Sequence, residues 1–216
     1  PVGWKDPFPL MRDGKHSIDC YMDCLEGCFV DLQSKTEQSV MDSDYFVFHC
    51  TSVYLVKRAF KQLLKVSQTK VSMKEQMEMY ERRVKSSTLA TKRIGSSYTA
   101  SCYTNMYSML YHEGGSVKQK TLTVFSYGSG SASSMYQVRI KSPPVLHTDL
   151  VRLLDERVSY SPSEYIECIK RYSGMYGKFG TVCKGEISHN GDETWYLDSV
   201  DEWGKRSYRH VSHSGE

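Results

Sequence analysis

Two stretches of the chain carry residues whose types and spacing suit chemistry on a carbonyl group, and the first is a turn of small residues. Ser126–Ser131 reads Ser-Tyr-Gly-Ser-Gly-Ser and lies between two apolar segments. Gly128 and Gly130 allow positive φ and close approach of a ligand. Successive amide N–H groups in such a turn can converge on a developing oxyanion. The alternative is an ordinary hairpin, because most Gly/Ser turns between strands have no further role.

The second candidate is His49, which follows the aromatic and β-branched run Tyr45–Phe48. Such a run predicts a buried strand, with the imidazole at its end. A neutral imidazole can donate one N–H to a carbonyl oxygen, and its pKa suits proton handling near pH 7. The alternative is a hydrogen-bonded core histidine, which is common at the end of a buried strand.

Composition places limits on the class of protein. The 216 residues are 39% hydrophobic and 25% charged, which predicts a soluble, globular single domain over residues 1–216. A net charge of +3 gives no argument for a nucleic-acid partner. No run approaches the ~20 apolar residues of a membrane span, so we expect no membrane partner.

Seven cysteines are present, and no Cys-x-x-Cys pair occurs. The odd number favours reduced, mostly buried thiols in an intracellular protein over a disulfide framework. Cys20, Cys24 and Cys28 recur every four residues on one predicted helix face. Too few further ligands lie near them in the sequence, so we predict no metal site.

Hydrophobic periodicity predicts the elements that must position the two candidates. Thr121–Ser126 and Met135–Ile140 are predicted strands on either side of the turn. Val53–Val66 is a predicted amphipathic helix that begins soon after His49. Further helices are predicted after a Ser17 cap, within 67–93, over 100–111, over 149–158 after a Thr148 cap, and from Ser161, with a hairpin about Gly204 near the end.

The amino-acid sequence of these stretches resembles that of one protein family. Thr123–Gly130, the Phe48-His49 strand end and the Trp195–Tyr208 hairpin are similar to the C-terminal half of 3-hydroxy-3-methylglutaryl-CoA (HMG-CoA) synthase, a member of the thiolase superfamily. The resemblance runs from about Asp13 to Arg209. It implies an α/β chain with a thiolase-like layered α-β-α fold, of which this chain is the C-terminal half only, ending in an antiparallel hairpin.

The resemblance implies roles for individual residues. His49 would orient and polarise the acetoacetyl thioester, and the Ser129 N–H would point toward the thioester carbonyl. Ser96 stands where the family has an asparagine that helps hold the acetoacetyl oxygen, and a serine hydroxyl is a shorter donor. Tyr98 matches the family in the same loop, and Gly128 matches it in the turn. These three residues are therefore predicted to bind substrate.

Binding of CoA is predicted at the start of the helix after His49. The family places a lysine five residues after its histidine, and here that position is Tyr54. Lys57 and Arg58 follow, and the guanidinium of Arg58 can bind a phosphate bidentately. The alternative for this basic face is simple solvation, as for most runs of charge.

No segment resembles the family's acylated cysteine or its acid/base glutamate, which lie in the N-terminal half. Cys50 adjoins His49, but adjacent residues of a strand point to opposite faces, so we do not expect Cys50 to be a nucleophile. The chain is therefore expected to need the missing N-terminal half as a partner.

The resulting hypothesis is an acyltransferase half that orients acetoacetyl-CoA for condensation with acetyl-CoA. CoA thioesters are substrates, and no cofactor is expected. The resemblance further implies a homodimer and a cytoplasmic location, with the mitochondrion as the alternative. Because Tyr54 and Ser96 depart from the family at two functional positions, a catalytically retired homologue used as a structural or interaction subunit is the alternative hypothesis.

Overall fold

The computed structural model describes residues 13–37, 39–128, 130–146, 149–182 and 193–212. The chain divides into two compact units. One covers Met11–Arg157, and the other is built mainly from Val158–Glu216. The single domain expected from the sequence stays a prediction.

The first unit holds the candidate residues and consists of helices around one small sheet. Its elements in chain order are α1 (Gly14–Lys35), β1 (Tyr45–Phe48), α2 (Val53–Val66), α3 (Met73–Arg83), α4 (Lys85–Ile94), α5 (Ser101–Glu113), β2 (Thr121–Gly128), β3 (Ala132–Arg139) and α6 (Leu150–Asp155).

The sheet of this unit has the strand order β1-β2-β3. Strand β1 runs parallel to β2, with Phe48 paired to Phe125, and β2 runs antiparallel to β3. All four residues of β1 are buried, as the unbroken apolar run predicts. The alternation of side chains divides them between two faces.

Two hydrophobic clusters form on the two faces of the sheet. Phe46 and Phe48 pack in the cluster that includes residues of α1 and α2. Tyr45 and Val47 pack in the other cluster, with residues of α5. Helices therefore cover both faces of the sheet, which is the layered α-β-α arrangement expected from the sequence.

Local signals explain where most helices begin. Asp13 caps α1 by accepting a hydrogen bond from the N–H of Lys15 at 2.9 Å, so this helix begins before the predicted Ser17 cap. Ser52 caps α2, whose bounds match the prediction. The segment 67–93 forms two helices rather than one, because the backbone leaves helical geometry at buried Val84.

The second unit contains α7 (Pro162–Met175) and the strands β4 (Thr181–Val182), β5 (Glu193–Val200) and β6 (Arg206–Ser212). A capping box between Ser161 and Glu164 begins α7, as predicted. Strands β5 and β6 form the predicted antiparallel hairpin, with Gly204 at a φ of 83° in the turn. The predicted Thr148 cap lies outside the described residues. None of the described helices is long and apolar enough to cross a membrane.

Candidate active site

Two hydrogen bonds fix the backbone of His49 where β1 ends. Its N–H donates to the carbonyl oxygen of Phe125 on β2 at 2.7 Å, which extends the pairing of the two strands. Its own carbonyl oxygen accepts a hydrogen bond from the Tyr21 hydroxyl of α1 at 2.9 Å. The imidazole therefore extends from a backbone that is held by a strand and by a helix.

The imidazole of His49 lies among polar and aromatic groups. Its Nδ1 is 2.9 Å from the Oγ of Ser101, the first residue of α5. The ring centroid is 6.0 Å from that of Tyr127 on β2. Only 9% of the surface of His49 is exposed, and this burial lowers its pKa from the ordinary value of 6.5. The ring is therefore neutral at pH 7.

The turn predicted to form an oxyanion hole closes the β2–β3 hairpin beside this histidine. Tyr127, whose ring faces His49, is followed directly by Gly128, which pairs with Ala132. The Ser131 N–H donates to the Gly128 carbonyl oxygen at 2.9 Å. Ser129, which the sequence assigned to the oxyanion hole, lies outside the described residues.

Ser131, the last residue of the turn, has a positive φ of 59°, whereas Gly128 does not use the conformational freedom that glycine allows. The reason is the register, because a short hairpin loop places its last residue in the left-handed region. Glycine at position 128 is also not required for space, since an added Cβ would only reach ordinary contact distance from the Ala132 carbonyl oxygen, 3.5 Å.

The two loop residues assigned to the substrate are both exposed. The Ser96 hydroxyl accepts a hydrogen bond from the backbone N–H of Tyr98 at 3.4 Å, in the loop between α4 and α5. Tyr98 has a positive φ of 50° and is 66% exposed. The hydroxyl that contacts His49 is that of Ser101, so Ser96 does not take that position. The predicted substrate roles of Ser96 and Tyr98 stay predictions.

The residues assigned to CoA share one surface groove. The groove has a volume of about 740 Å³, and Tyr54, Lys57 and Arg58 all line it. Lys61 and Lys65 of α2 add two further cationic groups. The Lys57 ammonium also lies over the Tyr80 ring, 5.5 Å from its centroid. The exposed ring of Tyr54 beside these clustered cations suits a ligand that carries both a planar base and phosphates.

The thiols beside His49 are not activated. Burial raises the pKa of Cys50 to about 11 and also raises that of Cys102. The Cys102 thiol donates to the Phe125 carbonyl oxygen at 3.4 Å. Because the thiolate is the nucleophilic form, neither group suits covalent catalysis. Among the described residues, no group of three or more His, Cys, Asp or Glu side chains is placed to hold a metal ion.

The sequence missed a pair of α5 side chains that bracket His49. Ser101 Oγ accepts the N–H of Cys50 at 3.3 Å, and the Asn105 side chain donates to the Phe48 carbonyl oxygen at 3.0 Å. Both side chains are fully buried. Ser101 did carry a signal, because it matches the family in the segment after Tyr98. Asn105 carried no recognisable sequence signal, because its role depends on the packing of α5 on β1.

Solved structures identify the class of this fold. PksG, an HMG-CoA synthase from Bacillus subtilis, superposes with a TM-score of 0.79 at 24% identity, covering 95% of this chain and 53% of that chain. MvaS, solved in complex with 3-hydroxy-3-methylglutaryl coenzyme A, superposes with a TM-score of 0.74 at 21% identity, covering 97% of this chain and 53% of that chain. The layered sheet therefore belongs to the thiolase-like class, as the sequence predicted.

The family follows from the sequence comparison. The family model described as "Hydroxymethylglutaryl-coenzyme A synthase C terminal" matches residues 61–211. This chain belongs to the hydroxymethylglutaryl-CoA synthase family and matches its C-terminal part. The match begins after His49, so the assignment of the family does not depend on that residue.

Curated relatives match nearly the whole chain. Hydroxymethylglutaryl-CoA synthase 2 of Blattella germanica is 28% identical, covering 94% of this chain and 56% of the relative. The mitochondrial synthase of Rattus norvegicus is 27% identical, covering 93% and 50%. The cytoplasmic synthase of Homo sapiens is 24% identical, covering 93% and 49%. The chain thus spans about half the length of the curated relatives it matches.

Proposed function

We propose that this chain is the acetoacetyl-orienting half of an HMG-CoA synthase, which condenses acetyl-CoA with acetoacetyl-CoA and water to form 3-hydroxy-3-methylglutaryl-CoA. The observation that carries the proposal is the position of His49. Its buried, neutral imidazole lies directly after strand β1. The ring of Tyr127 is beside it, and Tyr127 is the residue before Gly128 in the β2–β3 hairpin. Membership of the family supplies the reaction that this geometry supports.

The chemistry requires hydrogen-bond donors on the acetoacetyl oxygen. When a carbanion adds to a carbonyl group, negative charge develops on the oxygen, and fixed donors stabilise that charge. The proposal assigns one donor to an N–H of His49 and a second to the backbone N–H of Ser129. Ser96 and Tyr98 are proposed to contact the acyl chain from the loop that precedes α5.

The CoA portion is proposed to occupy the groove on α2. Tyr54 offers an aromatic face that is 71% exposed, and Lys57 and Arg58 offer cations one turn further along the helix. The planar guanidinium of Arg58 suits a phosphate better than a point charge does. This placement supplies phosphate contacts even though Tyr54 replaces the lysine that the family carries at that position.

The remaining chemistry is proposed to come from the N-terminal half of the protein. That half would hold the acylated cysteine and the acid/base glutamate, since the Cys50 and Cys102 thiols of this chain are not activated. We further propose a homodimer in the cytoplasm. The curated relatives include both cytoplasmic and mitochondrial synthases.

The test is a separation of the two half-reactions in the complete protein. His49→Ala should leave acetylation by labelled acetyl-CoA intact and lower the rate of condensation by about 10²–10⁴-fold. His16→Ala, on the exposed surface of α1, is the matched control and should leave both steps unchanged. A His49→Ala protein that condenses at the unmodified rate would overturn the proposal, as would acetylation of any cysteine in this chain.

A further inference from the structure

The hydrogen-bond donors and acceptors around the Ser101 hydroxyl indicate which atom accepts its hydrogen. Its side chain is fully buried, and its Oγ contacts the backbone N–H of Cys50 at 3.3 Å, the Nδ1 of His49 at 2.9 Å and the Cys102 thiol. A backbone N–H can only donate, so Oγ is the acceptor in the first contact. The hydroxyl hydrogen then needs an acceptor of its own, because an unpaired buried donor is costly.

The best acceptor for that hydrogen is Nδ1 of His49. The neighbouring Cys102 sulfur is a weak acceptor, and its own S–H is directed to the Phe125 carbonyl oxygen. If the hydroxyl donates to Nδ1, that nitrogen carries no hydrogen. The single proton of the neutral ring is then on Nε2.

The surrounding contacts hold this arrangement in place. Ser101 and Asn105 lie one turn apart on α5, and they bond to the backbone groups on either side of His49. The Thr91 hydroxyl donates to the Asn105 side-chain oxygen, which fixes the orientation of the amide. The first turns of α5 are thereby tied to the end of β1, and the distance between Oγ and Nδ1 is set by the fold.

We propose that Ser101 is a positioning residue that holds His49 in the tautomer with the proton on Nε2. Nε2–H is then the group available to donate to the carbonyl oxygen of a β-ketoacyl thioester. The last step rests on the proposed function, whereas the tautomer itself does not. Burial of the ring, which keeps it neutral, is consistent with this assignment.

The test measures the tautomer directly. The two ring nitrogens of His49 are observed by ¹H–¹⁵N NMR in the chain labelled with ¹⁵N at histidine, and a His49→Gln spectrum assigns the signals. We expect a protonated Nε2 and an unprotonated Nδ1. A protonated Nδ1 in the unmodified chain would overturn the proposal without any variant of Ser101.

Two substitutions at position 101 add a matched comparison. Ser101→Ala should convert the signals to a mixture of tautomers, and Ser101→Thr, which keeps the hydroxyl, should preserve the original pattern. In the complete protein, Ser101→Ala should lower condensation by about 10- to 100-fold with acetylation unchanged, which is the loss typical when a partner that orients a metal-binding histidine is removed. Ser101→Thr should restore most of that rate.

The outcomes separate this inference from the proposed function. An unchanged tautomer in a folded Ser101→Ala chain refutes the positioning role, whatever the activity. A tautomer that responds to Ser101→Ala, in a complete protein that shows no condensation even before substitution, supports the positioning role and refutes the proposed function.

Discussion

The Tyr21 hydroxyl donates a hydrogen bond to the His49 carbonyl oxygen across 2.9 Å, joining the middle of α1 to the end of β1. The two residues are 28 positions apart, so this contact depends on the packing of the helix against the sheet. The Tyr21 ring also meets the rings of Phe125 and Tyr127 at centroid distances of 5.3 and 5.1 Å. One side chain therefore supports both the candidate histidine and the strand beside it.

Tyr21→Phe should destabilise the chain by about 1 kcal/mol, because it removes this hydrogen bond and keeps the ring contacts. The measurement is the free energy of unfolding in urea. Tyr54→Phe is the matched control, because the Tyr54 ring is 71% exposed, and its effect should stay within about 0.5 kcal/mol. Equal effects of the two substitutions would show that the Tyr21 hydroxyl adds nothing to stability.

Titration of His49 should make the free energy of unfolding rise with pH. Burial lowers its folded-state pKa from the unfolded value of 6.5, so the unfolded chain binds more protons between these two pKa values. The unfolding free energy therefore rises with pH across that window, and stability is lost as the pH falls below about 6.5.

The measurement compares unfolding free energies at pH 7.5 and pH 5.5 for the chain and for His49→Gln. The difference between the two pH values should be smaller in the variant, because the titrating group is gone. A His49→Gln chain with an unchanged pH response would contradict the lowered pKa.

Several parts of the fold could be predicted because their signals are local. The apolar run Tyr45–Phe48 predicted β1, and the spacing of Val53–Val66 predicted α2 with its bounds. The Ser161-Pro162 signal predicted the start of α7. The break between α3 and α4 was not predicted, because Val84 carries no Gly or Pro signal and its burial depends on tertiary packing.

The candidate site was predictable only in part, because some of its contacts depend on tertiary packing. His49 follows from its place after a buried run and from the family motif. Its partner Ser101 is 52 residues away, and their contact exists only because α5 packs on β1. Ser131 likewise has a positive φ that no local signal indicated, because the pairing of Gly128 with Ala132 sets the geometry of the turn.

Arg58→Ala should weaken binding of CoA by about fivefold, which corresponds to about 1 kcal/mol. The expected cause is the loss of one charge-assisted contact to a phosphate in the groove on α2. Titration calorimetry with CoA measures the affinity. Lys92→Ala removes an exposed positive charge on α4, outside the groove, and should leave the affinity unchanged. Equal weakening by both substitutions would indicate general charge attraction instead of a site.

One substitution, serine to valine, can be compared at two positions, Ser131 in the turn and Ser134 in β3. Ser131 has a φ of 59°, where a β-branched side chain is strongly disfavoured, whereas Ser134 lies in β3 and is exposed. Ser131→Val should therefore destabilise the chain by about 1 kcal/mol, which is the penalty that the β-branched side chain adds to the one serine already carries. Ser134→Val should change stability by less than about 0.5 kcal/mol or raise it slightly, because valine favours strands.

Urea unfolding of the two variants measures both effects under the same conditions. The chemical change is identical, so a difference comes from the backbone at the two positions and from the contact of the Ser131 hydroxyl with Tyr127. A larger loss for Ser134→Val than for Ser131→Val would contradict the left-handed conformation of Ser131. Because the Ser131 N–H closes the turn on the Gly128 carbonyl oxygen at 2.9 Å, the same strain should also lower condensation in the complete protein if the adjoining turn binds the thioester.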